Sequence, residues 1–270
     1  MGSEGQNENC FIVMVGLDPT TFGDLGRVEI VRFVVGVPLA RVGRVKPDHD
    51  GCMERGGDGY LERHPKWHPE RPPERPVDMK LLAWGRAAAR RLGATAPPVL
   101  WLFTDTARLP DPRPAAARLP RGISGVVLRH DSHPNRVAIG RDLARICRIR
   151  GLALVVAGDV RLAAALGAGV HLRGGRWPGP LRLGGIVTSS AHSLADLRRA
   201  RRNGATIAFL SPAFATASHP GEPALGACRW AGLAGRAGLP VAALGGIGGD
   251  SVRLLPRARC HGVGAIGALV

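Results

Sequence analysis

The chain has 270 residues, a formal net charge of +16 and a hydrophobic content of 45%. This length and content suffice for one large domain or two modest ones, and they exclude a chain that is disordered overall. There is no run of about 18 consecutive apolar residues and no basic-then-apolar secretory pattern at the N-terminus, so we expect a soluble, cytoplasmic protein without a membrane partner. The scattered cysteines form no CxxC pair, which argues against a disulfide framework or a zinc site.

The charge is divided unevenly along the chain. Residues 1–78 hold 10 Lys and Arg against 13 Asp and Glu, whereas residues 79–270 hold 27 against 8, so the two parts carry −3 and +19. A basic body attracts phosphorylated small molecules, nucleic acid or acidic membranes. The arginines, however, fall mostly in helix-like segments, and the basic–aromatic interleaving of a single-strand binder is missing. We therefore do not expect nucleic acid as a partner.

The first part of the chain differs from the rest in composition as well. It ends in a stretch, 64–76, in which five prolines fall among charged residues. Proline at this density prevents helix formation and favours an extended, solvated chain. We predict a poorly ordered extension over residues 1–78. As a hypothesis, Met79 is the natural start of the folded protein.

Beyond Met79 the sequence alternates helical patterns with short apolar runs. Strands are predicted at 99–104, 125–128, 152–156, 169–172, 185–188, 207–210, 241–244 and 262–266. Helices are predicted at 81–92, 136–150, 160–166, 193–203, 224–237 and 250–257. Continuously apolar strands separated by helices indicate a parallel sheet buried on both faces, and eight units indicate a closed (β/α)8 barrel, the TIM barrel. Residues 174–180 leave little room for a helix between strands four and five.

A doubly wound open sheet is the competing fold. Against it, the first strand is followed by Asp105-Thr106-Ala107-Arg108 and not by a glycine-rich dinucleotide turn. In a barrel, function lies where the strands end, and polar residues or glycine clusters follow most of the predicted strands. Glycines 245, 246, 248 and 249 after strand seven, with Gly264 and Gly267 around strand eight, suit phosphate binding by backbone N–H groups.

Four motifs at strand ends occur in a familiar order. They are GVHL at 169–172, SAHSL at 190–194, SPAFATASH at 211–219 and LGGI at 244–247. Over about residues 98–270 the chain resembles the thiamine phosphate synthase/TenI superfamily of small (β/α)8 barrels. The resemblance implies that a hydroxymethylpyrimidine diphosphate is joined to a thiazole phosphate with release of pyrophosphate. In TenI-type members it implies isomerisation of the thiazole phosphate instead.

The resemblance also implies roles for individual residues. Contacts to the thiazole phosphate fall on Thr216, Ser218, Gly246, Ile266 and Gly267. Arg129 and Ser190 match positions that contact the pyrophosphate, and Arg173 and His219 are further candidates for stabilising its charge. His192 lies in the segment where TenI-type enzymes keep a catalytic histidine, and His219 is the alternative acid–base group. Asp159 is the candidate ligand for Mg²⁺, which the synthase reaction would need and the tautomerase reaction would not.

The sequence departs from the superfamily mainly on the pyrimidine side. Val127 and Asp131 stand where a glutamine and a lysine are usual, and His219 stands where the loop lysine is usual. Three functions stay open: a synthase, a thiazole phosphate tautomerase, and a non-catalytic barrel that binds thiazole or thiamine phosphate and acts through a partner. In each case the ligands are small phosphorylated heterocycles. The oligomeric state, including a homo-oligomer, stays open as well.

Overall fold

The computed structural model describes residues 77–180, 182–216, 221 and 223–270, and in this part of the chain eight parallel strands close a barrel in chain order. The strands are β1 (Leu100–Phe103), β2 (Ser124–Leu128), β3 (Ala153–Ala157), β4 (Gly169–Leu172), β5 (Val187–Ala191), β6 (Ile207–Leu210), β7 (Val241–Leu244) and β8 (Gly262–Ala265). The helices are α1 (Met79–Leu92), α2 (Arg113–Arg118), α3 (Arg136–Arg150), α4 (Val160–Ala165), α5 (Leu194–Arg202) and α6 (Gly226–Gly235), with 3-10 turns at Ser251–Leu254 and Gly267–Leu269. The predicted (β/α)8 barrel is thus confirmed, and the open sheet is excluded.

The barrel interior is filled by aromatic side chains. Because side chains alternate across a strand, Leu100 and Leu102 of β1 pack outwards while Trp101 and Phe103 point inwards. The rings of Trp101 and Phe103 meet Phe209 edge to face, with centroids 5.6 and 4.8 Å apart. An added Cβ at Gly125 would lie 2.5 Å from the Trp101 ring, so glycine at this position provides the space for the ring.

The outer layer is a second apolar core between the strands and the helices. It contains buried leucines, valines and alanines from all eight strands and from helices α1 to α6. Trp230 of α6 is fully buried there and donates its indole N–H to the backbone oxygen of Leu210, 3.2 Å away. No helix among the described residues is long and apolar enough to cross a membrane.

Three local predictions differ from the structure. The predicted helix at 250–257 is wrong, because only Ser251–Leu254 forms a 3-10 turn and Pro256 has no amide hydrogen with which to continue it. Strand β5, predicted at 185–188, lies further along the chain at Val187–Ala191. Thr188 and Ser189 are buried there, and the Thr188 hydroxyl bonds to the His171 ring, 2.8 Å away. Helix α2 was not predicted; it is only six residues long, and a proline lies in its first turn.

The N-terminal end of α1 connects the loops after β7 and β8. The carboxylate of Asp78 accepts hydrogen bonds from the backbone N–H of Leu81, 3.1 Å away, and of Gly249, 2.6 Å away. Its own N–H donates to the Ala268 oxygen at 3.2 Å, and Val77 packs against the outer core. The predicted extension otherwise lies outside the described residues. Val77 and Asp78, the two described residues of the predicted extension, contact the barrel.

We predict that Asp78→Ala lowers the free energy of unfolding by about 1–2 kcal/mol, because the helix loses its N-terminal cap and the Gly249 N–H loses its acceptor. Urea unfolding of both proteins measures this. The matched control is Asp250→Ala, which removes an exposed ion pair with Lys80 and should change stability little. Equal effects of the two substitutions would contradict the bridging role of Asp78.

Candidate active site

A cavity of about 1340 Å³ opens at the carboxyl ends of the strands. All eight strands or the residues directly after them contribute to its wall: Phe103 and Thr104, Arg129, Ala157, His171 and Arg173, Ser190 and His192, Ser211 and Thr216, Gly245 and Gly246, and Ile266 and Gly267. Cationic side chains lie after β2 and β4, and glycines lie after β7 and β8. The cavity therefore has a charged side and a side lined by accessible backbone.

Arg129 is held in position by the end of β1. Its backbone N–H donates to the Thr104 hydroxyl and its Nε to the Thr104 carbonyl oxygen, both at 2.9 Å, while one Nη donates to Asp105 at 3.1 Å. Its guanidinium carbon lies 5.6 Å from the centroid of the Phe103 ring. Burial lowers the pKa of Arg129 and the Asp105 carboxylate partly offsets this, but an arginine stays charged. The result is a fixed cation in the cavity wall.

Asp105 and Asp111 stabilise turns between β1 and α2. Asp105 accepts the backbone N–H groups of Ala107 and Arg108, at 3.2 and 3.0 Å, in the turn after β1. Asp111 accepts the backbone N–H and the side chain of Arg113. Burial opposes ionisation of Asp105, yet its hydrogen bonds and charge contacts with arginines keep its pKa below the usual range. It is therefore an anion at neutral pH.

His130 is a structural histidine. Its Nε2 lies 3.2 Å from the Pro110 carbonyl oxygen, which can only accept, so this nitrogen carries the proton and Nδ1 accepts from the Thr104 hydroxyl at 2.9 Å. Burial is the main cause of its lowered pKa, so the ring is neutral. His133 lies beside it, with ring centroids 5.6 Å apart. Even so, no group of three or more His, Cys, Asp or Glu in the described chain could hold a metal ion.

Two further carboxylates after β2 and β3 are joined by arginines. Asp131 contacts Arg173 and lies 3.3 Å from an Nη of Arg136. The other Nη of Arg136 lies 3.1 Å from Asp159, which also accepts the Leu162 N–H at 2.9 Å as the cap of α4. Asp159, the candidate ligand for Mg²⁺, and the neighbouring Asp131 are thus already bound by guanidinium groups. As arranged, these residues do not fit a magnesium site.

The wall after β5 and β6 positions a serine and a histidine. The Ser190 hydroxyl accepts the Gly174 N–H at 3.1 Å and so supports the turn that carries Arg173. The Nδ1 of His192 lies 3.0 Å from the Ser211 carbonyl oxygen, so in the neutral ring Nδ1 carries the proton and Nε2 is an acceptor. None of the described residues bonds this Nε2.

The loop after β7 packs closely against the loop after β6 at Gly246. Gly246 has a φ of 65°, and an added Cβ would lie 2.4 Å from the Ala215 oxygen. Ser251 closes the turn because its hydroxyl donates to the Gly246 oxygen at 2.8 Å and accepts the Gly248 N–H at 2.9 Å. An added Cβ at Gly267 in the neighbouring loop would meet nothing within 4 Å. Only glycine suits the conformation and packing at Gly246.

His171 forms part of the cavity floor. It is 3% exposed, bonds Thr188, and packs against the rings of Phe103 and Phe209. Burial, assisted by the charges of Arg129 and Arg173, lowers its pKa to about 3. The ring is therefore neutral at physiological pH, which agrees with a packing role.

Most of the predicted site residues come together in this cavity. Arg129, Arg173, Ser190, His192, Thr216, Gly246, Ile266 and Gly267 all line it. Asp159 does not line it, and Ser218 and His219 lie outside the described residues. The individual roles assigned to these residues stay predictions.

Sequence reasoning missed three residues that organise the site: Thr104, Arg136 and Asp78. Thr104 is buried and fixes both Arg129 and His130. Its position at the end of an apolar strand was a usable signal. Arg136 and Asp78 act on residues 23 and 171 positions away, and nothing in the local sequence indicated these contacts.

The buried His171 predicts a pH dependence of stability. The unfolded chain takes up a proton at this residue below pH 6.5, whereas the folded protein does so only near pH 3, so stability is lost as the pH falls through this window. Between about pH 7.5 and 5, the stability advantage of the wild type over His171→Gln should shrink by about 2 kcal/mol in urea unfolding. A constant difference over this range would contradict a neutral, buried His171.

Comparison with known proteins agrees with this architecture. The family described as thiamine monophosphate synthase matches residues 102–269. A thiamine-phosphate synthase of Roseiflexus castenholzii is 31% identical over 166 residues, covering 57% of this chain and 72% of that protein. One from Parasynechococcus marenigrum is 33% identical over 141 residues, covering 50% of this chain but only 40% of that protein.

A solved structure shows the same fold. The thiamine phosphate pyrophosphorylase from Pyrococcus furiosus superposes with a TM-score of 0.52 at 23% identity, covering 63% of this chain and 86% of that one. At this identity the likeness concerns the fold alone. The match to the family, by contrast, spans more than half of the chain and includes every strand end that lines the cavity. The chain therefore belongs to the thiamine monophosphate synthase family.

Proposed function

We propose that the protein is a thiamine phosphate synthase-like transferase that joins a hydroxymethylpyrimidine diphosphate to a thiazole phosphate. The observation that carries this proposal is the division of one cavity into an arginine side after β2 and β4 and a glycine side after β7 and β8. Two phosphorylated substrates need two anion sites that face a common space, and this cavity offers both. Family membership supports the same reaction class.

The glycine side would hold the thiazole phosphate. Gly246 has a positive φ and packs against the Ala215 oxygen, so this part of the cavity wall carries no side chain, and Thr216 and Gly267 line the same cavity. Backbone N–H groups and hydroxyls bind phosphate oxygens without steric conflict at such positions. The Asp78 bridge between the two loops keeps this region fixed. Ser218 remains a proposed contact on the same side.

The arginine side would hold the diphosphate of the pyrimidine substrate. Arg129 is fixed by Thr104 and Asp105, and Arg173 lies on the turn supported by Ser190. In the reaction the bond between the pyrimidine methylene carbon and the diphosphate oxygen breaks, and the diphosphate leaves with the electron pair. The thiazole nitrogen then donates its lone pair to the methylene cation. Arginines stabilise the charge that develops on the leaving group.

Substrate class and location are part of the same proposal. The ligands are small phosphorylated heterocycles, and the net charge of +19 on residues 79–270 would steer such anions to the barrel. Cytoplasmic location follows from the proposed biosynthetic reaction. The magnesium requirement that the resemblance implies has no preformed site among the described residues, and no step above depends on it.

Incubating the protein with both substrates should give thiamine phosphate and pyrophosphate in equal amounts, which mass spectrometry and a pyrophosphate assay detect. The Arg129→Gln variant lacks a cation that stabilises the leaving diphosphate, so it should form product about 10²-fold or more slowly. Absence of thiamine phosphate with the wild-type protein, both with and without Mg²⁺, would contradict the synthase function.

Thr216→Ala should weaken binding of the thiazole phosphate by about tenfold or more, because one hydrogen bond to a charged group is lost. Calorimetric titration with the thiazole phosphate alone measures this. Thr106→Ala is the matched control, since it removes the same hydroxyl from the exposed opposite rim of the cavity. An unchanged affinity in Thr216→Ala would show that the loop after β6 does not bind the thiazole phosphate.

Thiazole phosphate isomerisation is the second candidate function, and the geometry of His192 favours it. The bond from Nδ1 to the Ser211 oxygen fixes the tautomer and makes Nε2 the basic nitrogen at the cavity wall. A single imidazole could take a proton from one position of the thiazole and return it to another. This reaction would need no metal.

His192→Asn separates the two candidate functions. In a tautomerase this substitution should abolish isomerisation of the thiazole phosphate. The isomerisation is measured as the exchange of ring protons in deuterated water. In a synthase it should leave the formation of thiamine phosphate from the tautomer already suited for coupling within about tenfold. If the wild-type protein catalyses no isomerisation, the second candidate is wrong.

A further inference from the structure

The carboxylates at the cavity mouth are all paired with arginines. Asp105 contacts Arg108 and Arg129, each at 3.1 Å, and Asp131 contacts Arg173. Together with Arg136 and Asp159, which do not themselves line the cavity, the cluster holds four guanidinium groups and three carboxylates, a net charge of +1. Divalent cations bind where carboxylates are in excess, whereas this cluster has an excess of cations.

Arg136 takes the bridging place between Asp131 and Asp159. One Nη lies 3.3 Å from Asp131, the other lies 3.1 Å from Asp159, and the former also donates to the Ala157 oxygen at 2.8 Å. Its side chain is 14% exposed. A Mg²⁺ ion bridging these two carboxylates would have to displace a guanidinium that is anchored to the end of β3. Arg136 is thus a permanent positive charge between them.

Arg173 is held much less firmly. Its pair with Asp131 is exposed, with 57% of the arginine side chain and 43% of the aspartate side chain accessible. Exposed ion pairs contribute little to stability, so little is lost when such a pair opens. Among the described residues Asp131 is the only hydrogen-bond acceptor of the Arg173 side chain. The remaining N–H groups of this side chain can therefore bind a ligand in the cavity that it lines.

We propose that this cluster binds a diphosphate group directly, without a bridging metal ion, and that Asp131 is an internal counterion which the diphosphate displaces from Arg173. The diphosphate carries more charge than one carboxylate and can accept from Arg129 and Arg173 together. Arg136 supplies the neighbouring positive charge that Mg²⁺ would otherwise supply. The inference rests on the proposed function for its substrate, but it concerns binding and can be tested without turnover.

The test is calorimetric titration of the full chain with inorganic pyrophosphate in EDTA and, separately, in excess Mg²⁺. We expect binding in EDTA. Arg173→Gln should weaken it about tenfold or more because a charge-assisted contact is lost. Asp131→Asn should strengthen it about two- to fivefold because the competing counterion is removed. Arg145→Gln is the matched control: it removes an exposed arginine of α3 that does not line the cavity, and it should leave the affinity unchanged.

A metal-bridged site predicts the opposite sign for Asp131→Asn. Pyrophosphate binding that appears only with Mg²⁺, or that Asp131→Asn weakens, would overturn the inference, as would an unchanged affinity in Arg173→Gln. Urea unfolding midpoints establish that each variant is folded. Binding in EDTA with the expected signs, but without thiamine phosphate formation, would overturn the synthase proposal and leave this inference standing. Formation of thiamine phosphate without pyrophosphate binding in EDTA would overturn this inference and leave the synthase proposal standing.

Discussion

Closure of the barrel around its aromatic interior is the constraint on which the rest of the structure depends. Trp101, Phe103 and Phe209 fill the centre, and glycines at positions 125 and 264 make room for two of these rings. Parallel strands that close into a barrel must all end at one face. Residues that lie more than a hundred positions apart in the chain, such as Arg129 and Gly246, therefore line the same cavity.

The two sides of this cavity are stabilised by different means. On the charged side, β1 fixes Arg129 through Thr104, while Arg136 connects the loops after β2 and β3. On the glycine side, the N-terminal end of α1 joins the loops after β7 and β8 through Asp78. Attachment of Arg129 and of the glycine loops to the barrel matches a reaction that depends on positioning two substrates more than on proton transfer.

The fold could be predicted because strands and helices follow local sequence pattern, whereas most of the cavity residues were predicted from the resemblance to a known superfamily. Apolar runs rich in β-branched residues and leucine predicted seven of the eight strands correctly. The polar residues that follow these strands lie at one face because all strands of a parallel barrel end there. Strand β5 was misplaced because its buried hydroxyls resemble a loop. The pairing of Arg136 with both Asp131 and Asp159 could not be predicted, since helix α3 appeared in the sequence only as an amphipathic pattern.

The central claim is that one cavity holds two anion sites on opposite sides. A crystal structure with pyrophosphate and thiazole phosphate bound together tests it most directly. We expect the thiazole phosphate to lie against the backbone of Gly246 and Gly267, and the pyrophosphate to lie against Arg129 and Arg173, with no metal ion between Asp131 and Asp159. Binding of both anions on the same side of the cavity, or of either one outside it, would contradict the assignment of two anion sites to this cavity.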